Sequence, residues 1–156
     1  MLEFDGVPTD CLEALRARAE LAIAGDSLGL SEAMLAATVD YVKVRRQFER
    51  PIGSFQAVKH ACANMAVDVA IGRALLDAAV EQVVAGADDA WVAVSMAKAA
   101  VTESAVTITG QAMQLHGGIG YTWERGIHMY LKRATLNRSL FGSPAAHRRR
   151  LATRYR

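Results

Sequence analysis

Two short stretches hold residues that can do chemistry. One is VTITGQAMQLHGGIGY, from Val106 to Tyr121, where Gln114 and His116 run into Gly117, Gly118 and Gly120. Glycines reach backbone angles closed to other residues and let a partner come close to the main chain. A helix end of this kind is either a ligand-facing corner or a tight turn between packed helices, since glycine stops are common in plain turns. The other stretch is RRQFERPIGSF, from Arg45 to Phe55. Arg45 and Phe48 are three apart, which puts them on roughly one side of a last helical turn. A guanidinium beside an aromatic ring can grip a phosphate while the ring covers flat or apolar surface. A charged residue ending a helix and a phenylalanine plugging the core would look the same.

Metal chemistry is not indicated. His60 has no ligand partner nearby, and Cys11 and Cys62 are far apart without metal-ligand spacing. Reduced thiols and a cytoplasmic setting fit that cysteine usage.

The elements that position these stretches are helical. A first helix is expected from about Cys11 to Arg46, with Leu12, Leu15, Ala19, Ala22, Ile23, Leu28, Leu35, Val39 and Val42 as its apolar stripe. Gly25 and Gly29 share a face in it, suggesting either a close helix crossing or a break into two helices. A loop at Pro51 and Gly53 follows, with Ser54 as a cap. The second helix is expected over about 55–84, and the third over about 90–115 with Ala93, Met96 and Ala100 toward its neighbours. A fourth follows over about 124–141, and a last one is capped by Ser143 with Pro144 at its first position. Three long helices and a shorter pair specify an all-α, antiparallel four-helix-type bundle with an additional C-terminal helix. Phe4 and Val7 read as the end of a strand within residues 1–9, which either pairs with something outside this chain or is a remnant of a missing preceding domain, and 10–156 are expected to be the bundle. Small and apolar residues exceed what one core needs, which suggests a homo-oligomer, a dimer or tetramer.

Composition excludes several classes. At 156 residues with 52% hydrophobic content, the chain can bury a core. The net charge of +2 is too small to predict nucleic-acid binding, and no recognition helix or aromatic–basic interleaving is present. Arg148, Arg149, Arg150, Arg154 and Arg156 cluster in the tail, where a solvated helix face is the plain expectation. No apolar run reaches membrane-spanning length without charge, and the acidic start is not a signal peptide.

The two stretches together resemble the flavin-dependent acyl-CoA dehydrogenases. Tyr41 to His60, YVKVRRQFERPIGSFQAVKH, is similar to that family's Arg-x-Gln-Phe-Gly-x-Pro-Ile signature. Gln111 to Glu124, QAMQLHGGIGYTWE, resembles its second signature, Gln-x-x-Gly-Gly-x-Gly-Tyr. The order and the intervening helices agree, and the likeness covers the family's C-terminal helical domain only. The resemblance implies FAD as cofactor, with Arg45, Gln47 and Phe48 on its pyrophosphate and adenine side. It implies that Gln114, Gly117 and Gly118 contact the adenosine end of an FAD bound mainly by a neighbouring subunit. A positive side chain and open amides then meet phosphate, so assembly and cofactor binding become one event.

Two departures stand out. Glu49 occupies the first signature's usual glycine, and a carboxylate near a diphosphate is unfavourable unless it turns outward or Lys43 or Arg50 offsets it. The resemblance also implies a carboxylate that removes the alpha proton while hydride leaves the beta carbon for the flavin. Its usual position, before a glycine after the fourth helix, holds Phe141. A minority of the family carry the glutamate on the first long helix, at or next to Ala19. Glu20 is one residue off, about a quarter turn away, and its plain expectation is surface charge. The catalytic base is therefore unassigned, with Glu20 as a candidate. The expected function is the FAD-contacting, oligomerising C-terminal part of an acyl-CoA dehydrogenase, inactive as the isolated chain. The complete enzyme would take acyl-CoA, with a complementary acyl-CoA dehydrogenase subunit as the other possible partner. The alternative is a non-catalytic interaction bundle retaining the family's shape.

Overall fold

The computed structural model describes residues 9–122 and 126–155. The strand expected near the start lies outside the described residues, apart from Thr9, which opens the first helix. The order is α1 (Thr9–Val44), a short hairpin of β1 (Arg46–Gln47) and β2 (Arg50–Pro51), α2 (Gln56–Val84), α3 (Ala90–His116), α4 (Ile127–Ser139) and α5 (Pro144–Ala152). Among the described residues no helix is long and apolar enough to cross a membrane.

The helix α3 is the axis of the bundle and packs on α1, α2, α4 and α5. Its buried face runs through Val94, Ala97, Val101, Ala105, Ile108 and Ala112, at the three- and four-residue spacing of one helical side. Met96, expected inward, is 46% exposed. Alanines at 0% exposure let the neighbours close in, and Met34, Met65, Met113 and Ile127 fill the space around Ile108. Each such large side chain contributes about 1.5–3 kcal/mol on burial.

The face that α1 turns inward is more polar than its expected stripe. Leu12 and Leu15 are exposed, whereas Glu20, Ser27, Ser31 and Thr38 are buried beside Ala24, Leu28, Met34 and Val42. The serines fit because their hydroxyls donate to carbonyls one turn back, Ser27 to Ile23 at 2.7 Å and Ser31 to Ser27 at 2.7 Å. Helix α1 runs unbroken through Gly25 and Gly29, and neither makes a close crossing. A Cβ at Gly25 would meet only Leu76 at 3.9 Å, and one at Gly29 would meet nothing within 4 Å. The tighter passage is at Gly72 of α2, where a Cβ would lie 3.4 Å from Val101 and 3.5 Å from Leu28.

The helix ends differ in part from expectation. Phe55, not Ser54, precedes α2, and no side chain caps it. Ser143 does cap α5, its hydroxyl accepting from the Ala146 amide at 3.3 Å, with Pro144 next. Nor are the tail arginines a free solvated face. Arg148 pairs with Glu103, Arg154 with Asp89 at 2.9 Å, and the Arg150 guanidinium lies 4.8 Å from the Trp91 ring centre. Each exposed pair adds little alone, but together they lay α5 and the tail along α3.

Candidate cofactor-facing end and the buried charge cluster

The two signature stretches meet at one end of the bundle. Tyr41, in the last turn of α1, stacks on His116, the last residue of α3, with ring centres 4.3 Å apart and planes 19° from parallel. Its hydroxyl donates to the His116 carbonyl at 3.4 Å. The His116 Nδ1 is 2.8 Å from the Ala112 carbonyl, and since a carbonyl only accepts, that nitrogen carries the proton. The contact joins the C-terminal ends of α1 and α3, so the hairpin after α1 and the glycine corner after α3 share that end.

The chain turns sharply there. A Cβ on Gly120 would sit 2.8 Å from the Met113 carbonyl, so the corner admits no side chain at that position. Gln114, Gly117 and Gly118 are exposed on its outside. The hairpin pairs Arg46 with Pro51 and Gln47 with Arg50, and the Ile52 amide donates to the Arg45 carbonyl at 2.8 Å. Arg45 and Phe48 are therefore not on a last helical turn. Arg45 follows the helix, and Phe48 sits on the tip of the hairpin at 84% exposure. Its ring meets Phe55 edge-on at 6.1 Å, and the Arg50 guanidinium covers Phe55 at 4.0 Å. All six residues that the resemblance associates with FAD are exposed at this one end.

The departure at Glu49 has a backbone meaning. Phe48 and Glu49 have φ of 50° and 64°, the pair of positive values a two-residue hairpin turn requires. Glycine takes this angle freely, whereas an L-residue with a side chain pays about 1–2 kcal/mol. Glu49→Gly is expected to raise stability by about 1 kcal/mol, after allowing for the greater freedom glycine gives the unfolded chain. Urea unfolding followed by circular dichroism measures it, and an unchanged or lower midpoint would rule out strain at this tip.

A second cluster is buried elsewhere along α1, about 30 Å from Tyr41 at the α-helical rise. Glu20 is 1% exposed, so its expectation as surface charge is incorrect. Arg16, whose side chain stays half exposed, donates from Nε to its carboxylate at 2.7 Å. Lys98 is fully buried, and His147 is nearly so. Burial pushes the Lys98 pKa down, and the Glu20 charge opposes that shift. Burial also pushes His147 down, with Glu20 favouring and Lys98 disfavouring its proton. The Lys98 ammonium donates to the carbonyls of Asn137 at 3.1 Å and Gly142 at 3.2 Å. The His147 Nε2 lies 3.2 Å from the Phe141 carbonyl. Neither Lys98 nor His147 was singled out by its residue type. A lone lysine amid SMAKAAV on the inward side of an alanine-rich helix was the available signal.

Position 141 follows α4, which ends at Ser139. Phe141 is half exposed, with φ of 55°, and Gly142 has φ of 108°. Beside this loop, α1 and α4 flank an open groove of about 1150 Å³ lined by Ala22, Ile23, Gly29, Met129, Leu136 and Leu140 among others. Arg133 and Asp26 bridge it through a forked pair at 2.7 and 2.8 Å, and Asn137 donates to the same carboxylate at 2.6 Å. The Arg133 hydrogen bond holds the Asp26 carboxyl below its ordinary range.

Comparison with known proteins agrees with this geometry. A family model described as "Acyl-CoA dehydrogenase, C-terminal domain" matches residues 13–155. The acyl-CoA dehydrogenase IpdE2 of Mycobacterium tuberculosis is 42% identical over 135 residues, which are 85% of this chain and 40% of that protein. The crystal structure of the ChsE4-ChsE5 complex from Mycobacterium tuberculosis superposes with a TM-score of 0.89 at 30% identity, over 94% of this chain and 40% of that one. A structure of PigA with FAD and proline superposes with a TM-score of 0.86 at 26% identity, over 90% of this chain and 36% of that one. The chain spans about two fifths of the length of the IpdE2 proteins it matches. The matched profile, the all-helical fold and the two signature corners joined at one end agree that the chain belongs to the acyl-CoA dehydrogenase family, as its C-terminal helical domain.

Proposed function

We propose that this chain is the FAD-contacting, oligomerising part of an acyl-CoA dehydrogenase, and that it completes a flavin site shared across a subunit interface. The observation carrying the reading is the Tyr41–His116 stack, which ties both signature corners to one end while leaving Arg45, Gln47, Phe48, Gln114, Gly117 and Gly118 open to a partner. The donor set suits FAD: a guanidinium and open backbone amides for the diphosphate, and an exposed ring for a flat surface. Bound FAD supplies the hydride acceptor for alpha,beta-dehydrogenation of an acyl-CoA thioester. The chain's own residues hold the adenosine and diphosphate side and set its distance from the bundle.

The base is a separate matter. Position 141 has no proton-accepting group, and Glu20 is buried under Arg16. This favours a complementary acyl-CoA dehydrogenase subunit as the source of the carboxylate over a homo-oligomer acting alone. Val67 and Ile71, four apart on one side of α2, are exposed apolar residues suited to subunit contact. A cytoplasmic location is part of the proposal. Analytical ultracentrifugation read at the flavin absorbance tests it. With FAD and a complementary subunit, the chain is expected to sediment as an oligomer carrying flavin, and Arg45→Ala to weaken flavin retention about tenfold, the equivalent of one charge-assisted contact. Flavin that never co-sediments with any oligomer containing the chain would refute it.

A further inference from the structure

The loop after α4 leaves an acceptor problem. The carbonyls at a helix C-terminus have no intrahelical donors. Two successive positive φ values, at Phe141 and Gly142, then aim the following carbonyls away from any regular ladder. Only the Leu140 amide closes back, onto Leu136 at 3.1 Å. The carbonyls of Asn137, Phe141 and Gly142 instead take their donors from other helices: Lys98 of α3 serves two, and His147 of α5 serves one.

We infer that Lys98 and His147 are positioning residues that clamp the Leu140–Gly142 loop and hold the side chain of residue 141 outward beside the α1/α4 groove, with Glu20 as the buried counter-charge that lets the ammonium stay inside. The inference rests on loop geometry and does not depend on the cofactor reading. The parts come from four helices. Glu20 is on α1, Lys98 on α3 and His147 on α5, and they close around the end of α4. Both cation and carboxylate are essentially without solvent; Arg16 pairs with the carboxylate at 2.7 Å, and the Glu20 charge favours the ammonium against its burial. The fit at Gly142 is close: a Cβ there would meet the His147 Nε2 at 3.1 Å, on a backbone angle that side chains already resist. Nε2 donates to the Phe141 carbonyl, and the buried Nδ1 has no hydrogen-bond partner. Burial and the neighbouring Lys98 disfavour a second proton, against the Glu20 charge that favours it. The imidazole is thus aimed at the loop through its Nε2 donor. The clamp is complete even though Phe141 has no ionisable group, so what it presents is an apolar ring.

Fluorine NMR of the full 156-residue chain, with 4-fluorophenylalanine at its 4 phenylalanines, tests the clamp. The resonance lost in Phe141→Leu identifies position 141, while Phe48 and Phe55 report from the distant hairpin. Lys98→Met and His147→Leu are expected to broaden the 141 resonance or move it toward its unfolded position, leaving the hairpin resonances in place. His147→Gln retains an N–H that can reach the same carbonyl and is expected to keep the native 141 signal. A space-filling role would predict the reverse order, with leucine at least as good as glutamine. An unchanged 141 resonance in folded Lys98→Met and His147→Leu would overturn the inference, as would a His147→Gln that behaves like His147→Leu or does not fold. If Lys98→Met does not fold, the leucine and glutamine pair at His147 decides.

Discussion

Lys98→Met is expected to destabilise the bundle by about 3–5 kcal/mol, the usual cost of removing one partner from a buried, charge-compensated set. The side chain lengths nearly match, so loss of packing volume contributes little. What is lost is the donor to two carbonyls and the charge that balances Glu20. Glu20→Gln alone is expected to be costly too, since it leaves a buried ammonium, and burial already disfavours its charged form. In the double variant neither charge is stranded. Its cost is therefore expected to fall short of the sum of the two single costs by at least about 1 kcal/mol, a coupling typical of residues in one network. Urea unfolding of the four proteins gives the cycle directly. Strict additivity would mean that Glu20 answers only to Arg16 and that Lys98 is held by carbonyls alone.

Acyl-CoA turnover is expected to be undetectable with the isolated chain and FAD, and to appear only when a complementary subunit is added. Two physical requirements lie behind this. Hydride transfer needs the flavin ring enclosed and placed to within a fraction of an ångström, and misplacement by about 1 Å costs about a hundredfold. On the function proposed above, the bundle supplies adenosine and diphosphate contacts, while its described residues form no enclosure for the ring. Proton removal needs a carboxylate, and this chain has phenylalanine at position 141. With the partner present, Arg45→Ala should reduce activity through weaker flavin occupancy, so that excess FAD restores most of it. Turnover by the chain alone, with an electron acceptor and acyl-CoAs of several lengths, would sink the prediction. Loss of that turnover in Glu20→Gln would then identify Glu20 as the base, against its placement here under Arg16.

Sequence alone determined the helices, because their signal is local. Alanine-rich runs with three- and four-residue spacing, a proline and glycine loop near Pro51 and the Ser143–Pro144 start all act over a few residues. The observed elements accordingly lie within a few residues of those expected. The two signatures were legible for the same reason, since each is a contiguous string of residue types. The inward side of each helix was not legible in the same way. In an alanine-rich chain the difference between faces is small, so Leu12, Leu15 and Met96 face water while Ser27, Ser31 and Thr38 are buried.

Only the tertiary structure decided where charges and strained angles meet. Glu20, Lys98 and His147 are separated by 78 and 49 positions in the sequence, and no spacing rule joins a carboxylate on α1 to an amine on α3 and an imidazole on α5. Their burial follows from four helices closing on one unsatisfied helix end, a condition set by packing. The same holds for Tyr41 and His116, whose stack depends on α1 and α3 ending together. At Glu49 the residue type was readable as a departure from glycine, but its electrostatic meaning was the only one the sequence offered. The positive φ at the hairpin tip shows the physical reason for that glycine: a two-residue turn must reverse the chain through angles that a side chain resists.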